Sequence, residues 1–336
     1  MRKIIGVIAL TAALLPIAGA LWAGASEIDD DLFARHRVFP SIGPGLRAVH
    51  HAANGNYYVL ASPTVGVAIF DSNGKQLSVI GAPSEPSVKN KESRAPIVFG
   101  EDCDVDAQGN VYVADRGSNL VTVFAPDGKQ LRSFPVNSLI SLAALPDGEV
   151  AVSTLQQTHQ VTVYGPNGKV VREFGALESL STRPELDRYL NLGRLVSNPQ
   201  GNIYYGFTYM PEPLVRQYDR FGNAHQEFVF TGVDAFPEAQ ATRRAIEREE
   251  TGSKPPVFRP ILTAFGVDPV SGDVWMGLHN TLVHFDKDGI RRSEYQIYTP
   301  KGSALDATVI LVEEDRLLIG ADPLGVYEFP RPDRKQ

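Results

Sequence analysis

The feature that most constrains this chain of 336 residues is a unit that returns six times. Its clearest copy runs from Asp104 to Phe134, DVDAQGNVYVADRGSNLVTVFAPDGKQLRSF. It reads as strand, turn, strand, loop, strand, turn, strand. The strands alternate apolar and polar residues, as half-buried strands do. The turns carry Gly beside Asn or Asp, which accept the positive φ of tight hairpins. The first turn recurs at Gly55, Gly109, Gly148, Gly201, Gly272 and, without glycine, at Glu314 and Asp315. The second recurs at Gly74, Gly128, Gly168, Gly222 and Gly289. Within a unit the two glycines stand 19, 19, 20, 21 and 17 residues apart. Between them lie matching segments: YYVLAS, VYVADR, VAVST, IYYGFT, VWMGLH and LLIGAD, then VAIF, VTVF, VTVY, VRQY, LVHF and VYEF.

A four-stranded unit with two apolar faces cannot hide both unless it stacks between neighbours. Radial closure of such units does this. The last unit ends after its third strand, VYEF, and Ala34–Ile42 stands unpaired before the first unit. The two ends therefore join: Ala34–Ile42 supplies the missing fourth strand, which removes the free sheet edges. An open β-solenoid is the alternative that this closure argues against. The expected fold is all-β, a six-bladed β-propeller of four-stranded antiparallel blades over about 45–81, 99–135, 138–175, 192–230, 262–298 and 304–330. Residues 26–336 then form one domain.

The segment D-x-x-G-N-V-Y-V-A-D, followed by V-T-V-F-x-P-D-G-K, resembles the NHL repeat of six-bladed propellers. The resemblance extends more weakly over about 34–330. It departs in the fourth and sixth units, whose turns lack the usual Asp-Gly, and WD40 hallmarks are absent. What it implies is a scaffold used by ligand-binding modules, protein-interaction modules and some enzymes, so the fold alone does not name a function.

Residues 1–25 stand apart. Arg2 and Lys3 open them, an apolar run from Ile4 to Ala23 follows, and Ala23-Gly24-Ala25 ends them in a small-x-small pattern. This is the layout of a secretory signal peptide, which places the domain outside the cell or in the periplasm. The alternative is an uncleaved membrane anchor, the one route by which a membrane becomes a partner. Without residues 1–25, 30 basic residues face 39 acidic ones, a net charge of −9. That balance disfavours nucleic acid, whose phosphates need a basic footprint. The single cysteine, Cys103, excludes an internal disulfide and reads as a small core residue.

In such a propeller the first strand of each blade lies nearest the axis. Both repeated turns share one face, and the remaining loops share the other. The long insertions Ala82–Ile97, Ala176–Asn191 and Thr231–Pro260 fall on that second face, where scaffolds of this kind carry function. The third holds an expected helix over 237–250, with Pro237 at its start and a weak apolar stripe of Ala239, Ala241 and Ile246. Arg243 and Arg244 on it are candidates for anion recognition. A solvated helix is the plainer reading.

Candidate ligand-binding residues on the same face are Asp115, Arg116, His159, Tyr209, His279, Asn280 and Asp322. Asp115-Arg116 also reads as a salt bridge within its blade. Glu101, Asp102 and Asp306 are candidate metal ligands, with calcium as the ion that such oxygen donors suit. Together with Asn280 they are similar to the Glu, Asn and Asp set of gluconolactonase-type propellers, although the motifs do not align position by position. Asp102 and Asp104 can equally be strand-end residues making local hydrogen bonds. Zinc would need histidines; His50 and His51 are adjacent on a strand, point to opposite faces and cannot share one ion. GxSxG and HExxH motifs are absent. The reading that follows is a binding propeller for a protein, a glycan or a small molecule. The alternative is a divalent-metal-dependent hydrolase or lactonase at the axial mouth.

Overall fold

The computed structural model describes residues 30–62, 66–82, 97–156, 158–232, 236–251 and 258–334. The expected signal segment 1–25 and most of the Ala82–Ile97 insertion lie outside the described residues. Two short strands, β1 (Asp30–Phe33) and β2 (His36–Val38), precede six antiparallel meanders. Blade 1 is β3 (Leu46–His51), β4 (Tyr57–Ala61), β5 (Val67–Phe70) and β6 (Gln76–Ile80). Blade 2 is β7 (Gly100–Val105), β8 (Val111–Asp115), β9 (Leu120–Phe124) and β10 (Gln130–Pro135). Blade 3 is β11 (Leu139–Ala144), β12 (Val150–Thr154), β13 (Val161–Tyr164) and β14 (Val170–Phe174). Blade 4 is β15 (Gly193–Ser197), β16 (Ile203–Phe207), β17 (Leu214–Tyr218) and β18 (Ala224–Val229). Blade 5 is β19 (Ala264–Val267), β20 (Val274–Leu278), β21 (Thr281–Phe285) and β22 (Arg291–Tyr298), and blade 6 is β23 (Val309–Val312), β24 (Arg316–Ala321) and β25 (Gly325–Pro330).

The first strands touch in turn around the ring, β3 to β7, β11, β15, β19, β23 and back to β3. Closure follows the expected route. β2 pairs antiparallel with β25, His36 opposite Glu328 and Val38 opposite Val326, as the fourth strand of blade 6. The closing strand is shorter than the expected Ala34–Ile42, because Phe39 turns the chain at φ +51° and buries its ring against Tyr57 and Phe70. Ala34 belongs to the neighbouring blade: its N–H bonds Tyr298 O. Just before it, β1 adds to β22 in parallel and makes blade 5 five-stranded.

The apolar side chains collect in six clusters, one at each seam between blades. Second strands such as β4, β8, β16 and β20 are buried along their whole length, since both their faces are covered. That is why YYVLA and VWMGL read as continuous apolar runs. The fourth strands are the rim, and Leu77, Leu131, Val170 and Val171 stay exposed there. Cys103 is buried in the seam of blades 1 and 2. Both turn families lie on one face: the first turn of blade 2 sits beside its own second turn, with Gly109 (φ +82°) so close to Pro126 that a Cβ would lie 3.3 Å from Cγ.

The second and third insertions carry helices of their own. The second contains α1 (Pro184–Leu190), a two-turn helix that the sequence reading did not include. The third contains α2 (Pro237–Thr251). Its buried side is Ala239, Thr242 and Ala245, whereas Ala241 is exposed, so the inward stripe differs from the expected one. Ala239 packs into the seam of blades 4 and 5, and Arg243 pairs with Glu212 at 2.6 Å. Among the described residues no helix is long and apolar enough to cross a membrane.

Candidate ligand-binding site at the axial mouth

Strands β3, β7 and β11 each carry one residue too many at the end facing the inserted loops. Their partners skip Arg47, Glu101 and Ile140 respectively. Such a bulge re-aims the extra side chain and is frequent beside functional sites. Counting back from the first-turn glycine, these residues stand eight positions away, while Arg194 and Phe265 on the regular strands β15 and β19 stand seven away. One column of the repeat thus carries Arg47, Glu101, Ile140, Arg194 and Phe265. Two of its arginines and its one carboxylate come from blades 1, 2 and 4.

Glu101 is the centre. Arg47 approaches it at 3.6 Å and Arg116, from the β8–β9 turn, at 3.5 Å. The Arg47 guanidinium also lies over the Phe99 ring, and its Nε is buried without a hydrogen-bond partner among the described residues. Tyr209, from the β16–β17 loop, stands near enough to feel both Arg194 and Glu101; burial first, then Glu101, raises its pKa against the pull of Arg194. Its ring packs beside Phe258 of the third insertion.

Below this mouth the first strands of blades 1 to 4 are tied across the seams by polar side chains. Asp102 accepts from Ser141 Oγ at 2.5 Å, from Leu142 N at 3.2 Å and from Cys103 N at 2.9 Å. Ser141 in turn accepts from Leu195 N, which carries the chain of bonds into blade 4. Asp104 accepts from Ala144 N at 2.8 Å and pairs with His50 at 3.0 Å. Burial pushes the Asp102 carboxyl up, against the pull of Arg194 and the Ser141 hydroxyl. Burial opposes protonation of His50, but Asp104, backed by Asp102, outweighs it and lifts the imidazole pKa. The first strands of blades 5 and 6, AFGV and VILV, contribute no polar side chain. The axis is therefore polar on one side and apolar on the other.

Of the residues expected from sequence, Glu101, Asp102, Arg116 and Tyr209 come together here. Asp115 does not. It is fully buried and turned into its blade, where it binds backbone N–H groups, and Arg116 pairs with Glu101 instead of Asp115. Asn280 gives its amide to Gln296 Oε1 on the outer strand, at 2.6 Å. Asp322 is exposed and caps Gly45 N at 2.7 Å. Among the described residues His159 meets only Thr158, and His279, at φ +56°, keeps Nε2 buried and without a partner. The metal set also disperses. Asp306 is exposed on the connection between blades 5 and 6, Glu101 faces two guanidinium groups, and both Asp102 oxygens are engaged. These residues do not fit a calcium ion. Among the described residues the one trio of His and acids close enough to share an ion is Asp273, His284 and Asp333, on another face.

Arg47 and Arg194 were not among the expected site residues. The signal lay in the repeat frame: aligned on the first-turn glycines, their column holds charges in blades 1, 2 and 4 and bulky apolar residues in blades 3 and 5.

No family model and no curated protein matches the chain. Solved structures do. A gluconolactonase from Xanthomonas campestris is similar with a TM-score of 0.54 at 17% identity, covering 88% of this chain and 89% of its own. A virginiamycin B lyase from Staphylococcus aureus, crystallised with quinupristin as an inactive variant, gives 0.52 at 9% identity, covering 86% and 96%. An auxiliary nutrient-binding protein from Bacteroides ovatus gives 0.52 at 12% identity, covering 85% and 69%. At such identities the likeness shows the fold alone, and what it shows is that this chain is a six-bladed β-propeller.

Proposed function

We propose that this protein is an exported, NHL-like binding propeller that takes a small anionic ligand, such as a carboxylate, at its axial mouth. The observation that carries the reading is the meeting of Arg47 and Arg116 on Glu101, with Tyr209 and Arg194 of blade 4 close enough to act on the same group of charges. Three guanidinium groups outnumber the two carboxylates, Glu101 and Asp102, and burial moves Asp102 toward its neutral form. A guanidinium offers a planar fork of donors that matches a carboxylate in two hydrogen bonds. The Nε of Arg47, which has no partner among the described residues, adds a further donor. The apolar side of the axis and the Phe258 ring suit a carbon skeleton attached to the anion. Export rests on the layout of residues 1–25. The rival reading, a metal-dependent hydrolase or lactonase at the same mouth, has no converging set of donors there among the described residues.

The test is thermal melting of the protein with gluconate, galacturonate, citrate and inorganic phosphate, with sorbitol as a neutral control. A ligand at a hundred times its Kd adds about 2.7 kcal/mol, which raises the Tm of a domain this size by about 4 °C. At least one anion is expected to do so, and Arg47→Gln and Arg116→Gln each to weaken it by tenfold or more, since a charge-assisted hydrogen bond contributes about 1.5–3 kcal/mol. No shift with any anion, or a shift untouched by both substitutions, removes the proposal. Turnover of a lactone dependent on added metal favours the rival.

A further inference from the structure

On the turn face, away from the mouth, three chain segments meet at the outer part of blade 5. Asp273 comes from the turn between β19 and β20, His284 from β21, and Asp333 from the tail that follows β25. One donor atom from each lies within 4.8 Å of both others. We propose that Asp273, His284 and Asp333 form a binding site for a divalent transition cation of the zinc class, independent of the ligand site at the mouth.

The donor set selects the ion. One imidazole nitrogen and two carboxylate oxygens suit zinc and its first-row neighbours, which accept mixed nitrogen and oxygen ligands. Calcium takes six to eight oxygens and has no use for the histidine. Three protein ligands leave further positions for water, and a cavity of ≈ 540 Å³ opens beside the trio, lined also by Ser271 and Ser293.

Each ligand is held from behind, as metal ligands are. His284 stacks on Trp275 with centroids 4.2 Å apart and planes 11° from parallel. Asp273 Oδ1 accepts from Lys287 N at 3.0 Å, which leaves Oδ2 toward the histidine. Asp333 is gripped by Arg331, Nε to Oδ1 at 3.0 Å and Nη2 to Oδ2 at 2.5 Å, and Arg331 is itself fixed by Asp268 at 2.7 Å. A carboxylate has about four acceptor positions, so this grip leaves Asp333 room for an ion.

The histidine is under-used by the fold. Its side chain is 5% exposed, and among the described residues its one hydrogen bond, Nε2 to Asp273, is long at 3.3 Å and Nδ1 is buried with no partner. Nε2, the nitrogen that faces Asp273 Oδ2, is thus held only by a long contact, and an ion between the two would give it a ligand bond. Local charge does not oppose the site: Asp268, Asp273, Asp286 and Asp333 face Arg292, Arg331 and Arg334. Because Asp333 lies in the C-terminal tail, the ion would fasten that tail to blade 5.

The experiment is calorimetric titration of ZnCl₂ into the EDTA-stripped protein. One equivalent is expected to bind, with affinity falling at least about tenfold in Asp333→Asn and in Asp273→Asn, while Glu101→Gln at the mouth leaves it unchanged. His284→Gln should abolish binding; since it alters a stacked, buried residue, Asp333→Asn on the exposed tail decides the matter if that variant does not fold. Zinc binding weaker than about 1 mM, or binding equal in wild type and Asp333→Asn, overturns the site. Because the mouth shares none of these residues, failure here leaves the anion proposal standing, and the reverse.

Discussion

Asp115 fills its carboxylate with hydrogen bonds. Oδ1 accepts from the N–H groups of Phe99, Gly117 and Ser118, and Oδ2 from Val98 N and Ser118 Oγ. Burial opposes its charge, yet these donors, Val98 and Phe99 foremost, hold its carboxyl below the usual range. Asp115→Ala would leave the N–H groups of Val98, Phe99 and Ser118 without this acceptor inside the protein, and Gly117 N–H with only its long bond to Phe99 O. A cost of about 3 kcal/mol or more is expected, read from the urea midpoint. Arg116→Gln should behave in the opposite way. The Arg116 side chain is 56% exposed and its contact with Glu101 is long, so stability should change by less than about 1 kcal/mol while ligand binding falls. Equal losses of stability in the two variants would contradict this division. The dipeptide was legible as a feature, but its roles were not. Neighbouring residues at a strand end face opposite ways, and only the ring reveals that one way leads into blade 2 and the other to the mouth.

The seam that closes the ring turns on β23, β24 and β25 meeting β3 and β4. Glu313, just past β23, accepts from Tyr57 Oη at 2.8 Å and Arg316 Nε at 2.6 Å, and pairs with His51 at 2.6 Å. Arg316 goes on to Glu328 of β25, and Glu328 to Arg35 beside the closing strand. Burial would raise the Glu313 carboxyl, but His51, Arg316 and Tyr57 pull it from its ordinary 4.5 to about 2. A depressed folded-state pKa contributes stability above the unfolded value and loses it as pH falls through the folded one. Wild type should therefore lose on the order of 3 kcal/mol from this group between pH 4.5 and 2. In Glu313→Gln that loss should be absent, so the two melting curves approach each other toward pH 2. Parallel curves across that window would show that the pair contributes nothing to closure. Elements at this scale were legible where glycine frames repeated. β1, with only Leu32 buried in DDLF, carries no strand period, and its parallel partner lies more than 260 residues away. α1 has seven residues and no side-chain cap, too little for a helical period to register.

At the scale of the whole molecule, closure decides both stability and the site. Six seam clusters imply that no blade buries its faces alone, which the repeat pattern made legible. The meeting of Arg47 and Arg116 on Glu101 was not, because it depends on bulges and on the angle between blades. The N-terminal segment bridges the last joint. Asp30–Phe33 runs along blade 5, Ala34 and Arg35 cross to blade 6, and His36–Val38 completes it. Two truncations separate these tasks. Starting the chain at Ala34 removes β1 and the burial of Leu32, a loss of about 2 kcal/mol or about 3 °C in Tm. Starting it at Phe39 also removes the ladder on β25 and the Arg35 pair, and leaves β25 as an open edge. A further drop of at least about 5 °C is expected, together with association of the truncated chain, since unpaired edges recruit strands from other molecules. Anion binding at the mouth should survive the first truncation and fail in the second, because the mouth forms only while blades 1 and 6 stay in register. Equal melting of the two truncated chains, both monomeric by size-exclusion chromatography, would mean that the ring is held by its first strands and seam cores, and that the strap is an accessory to a closure already made.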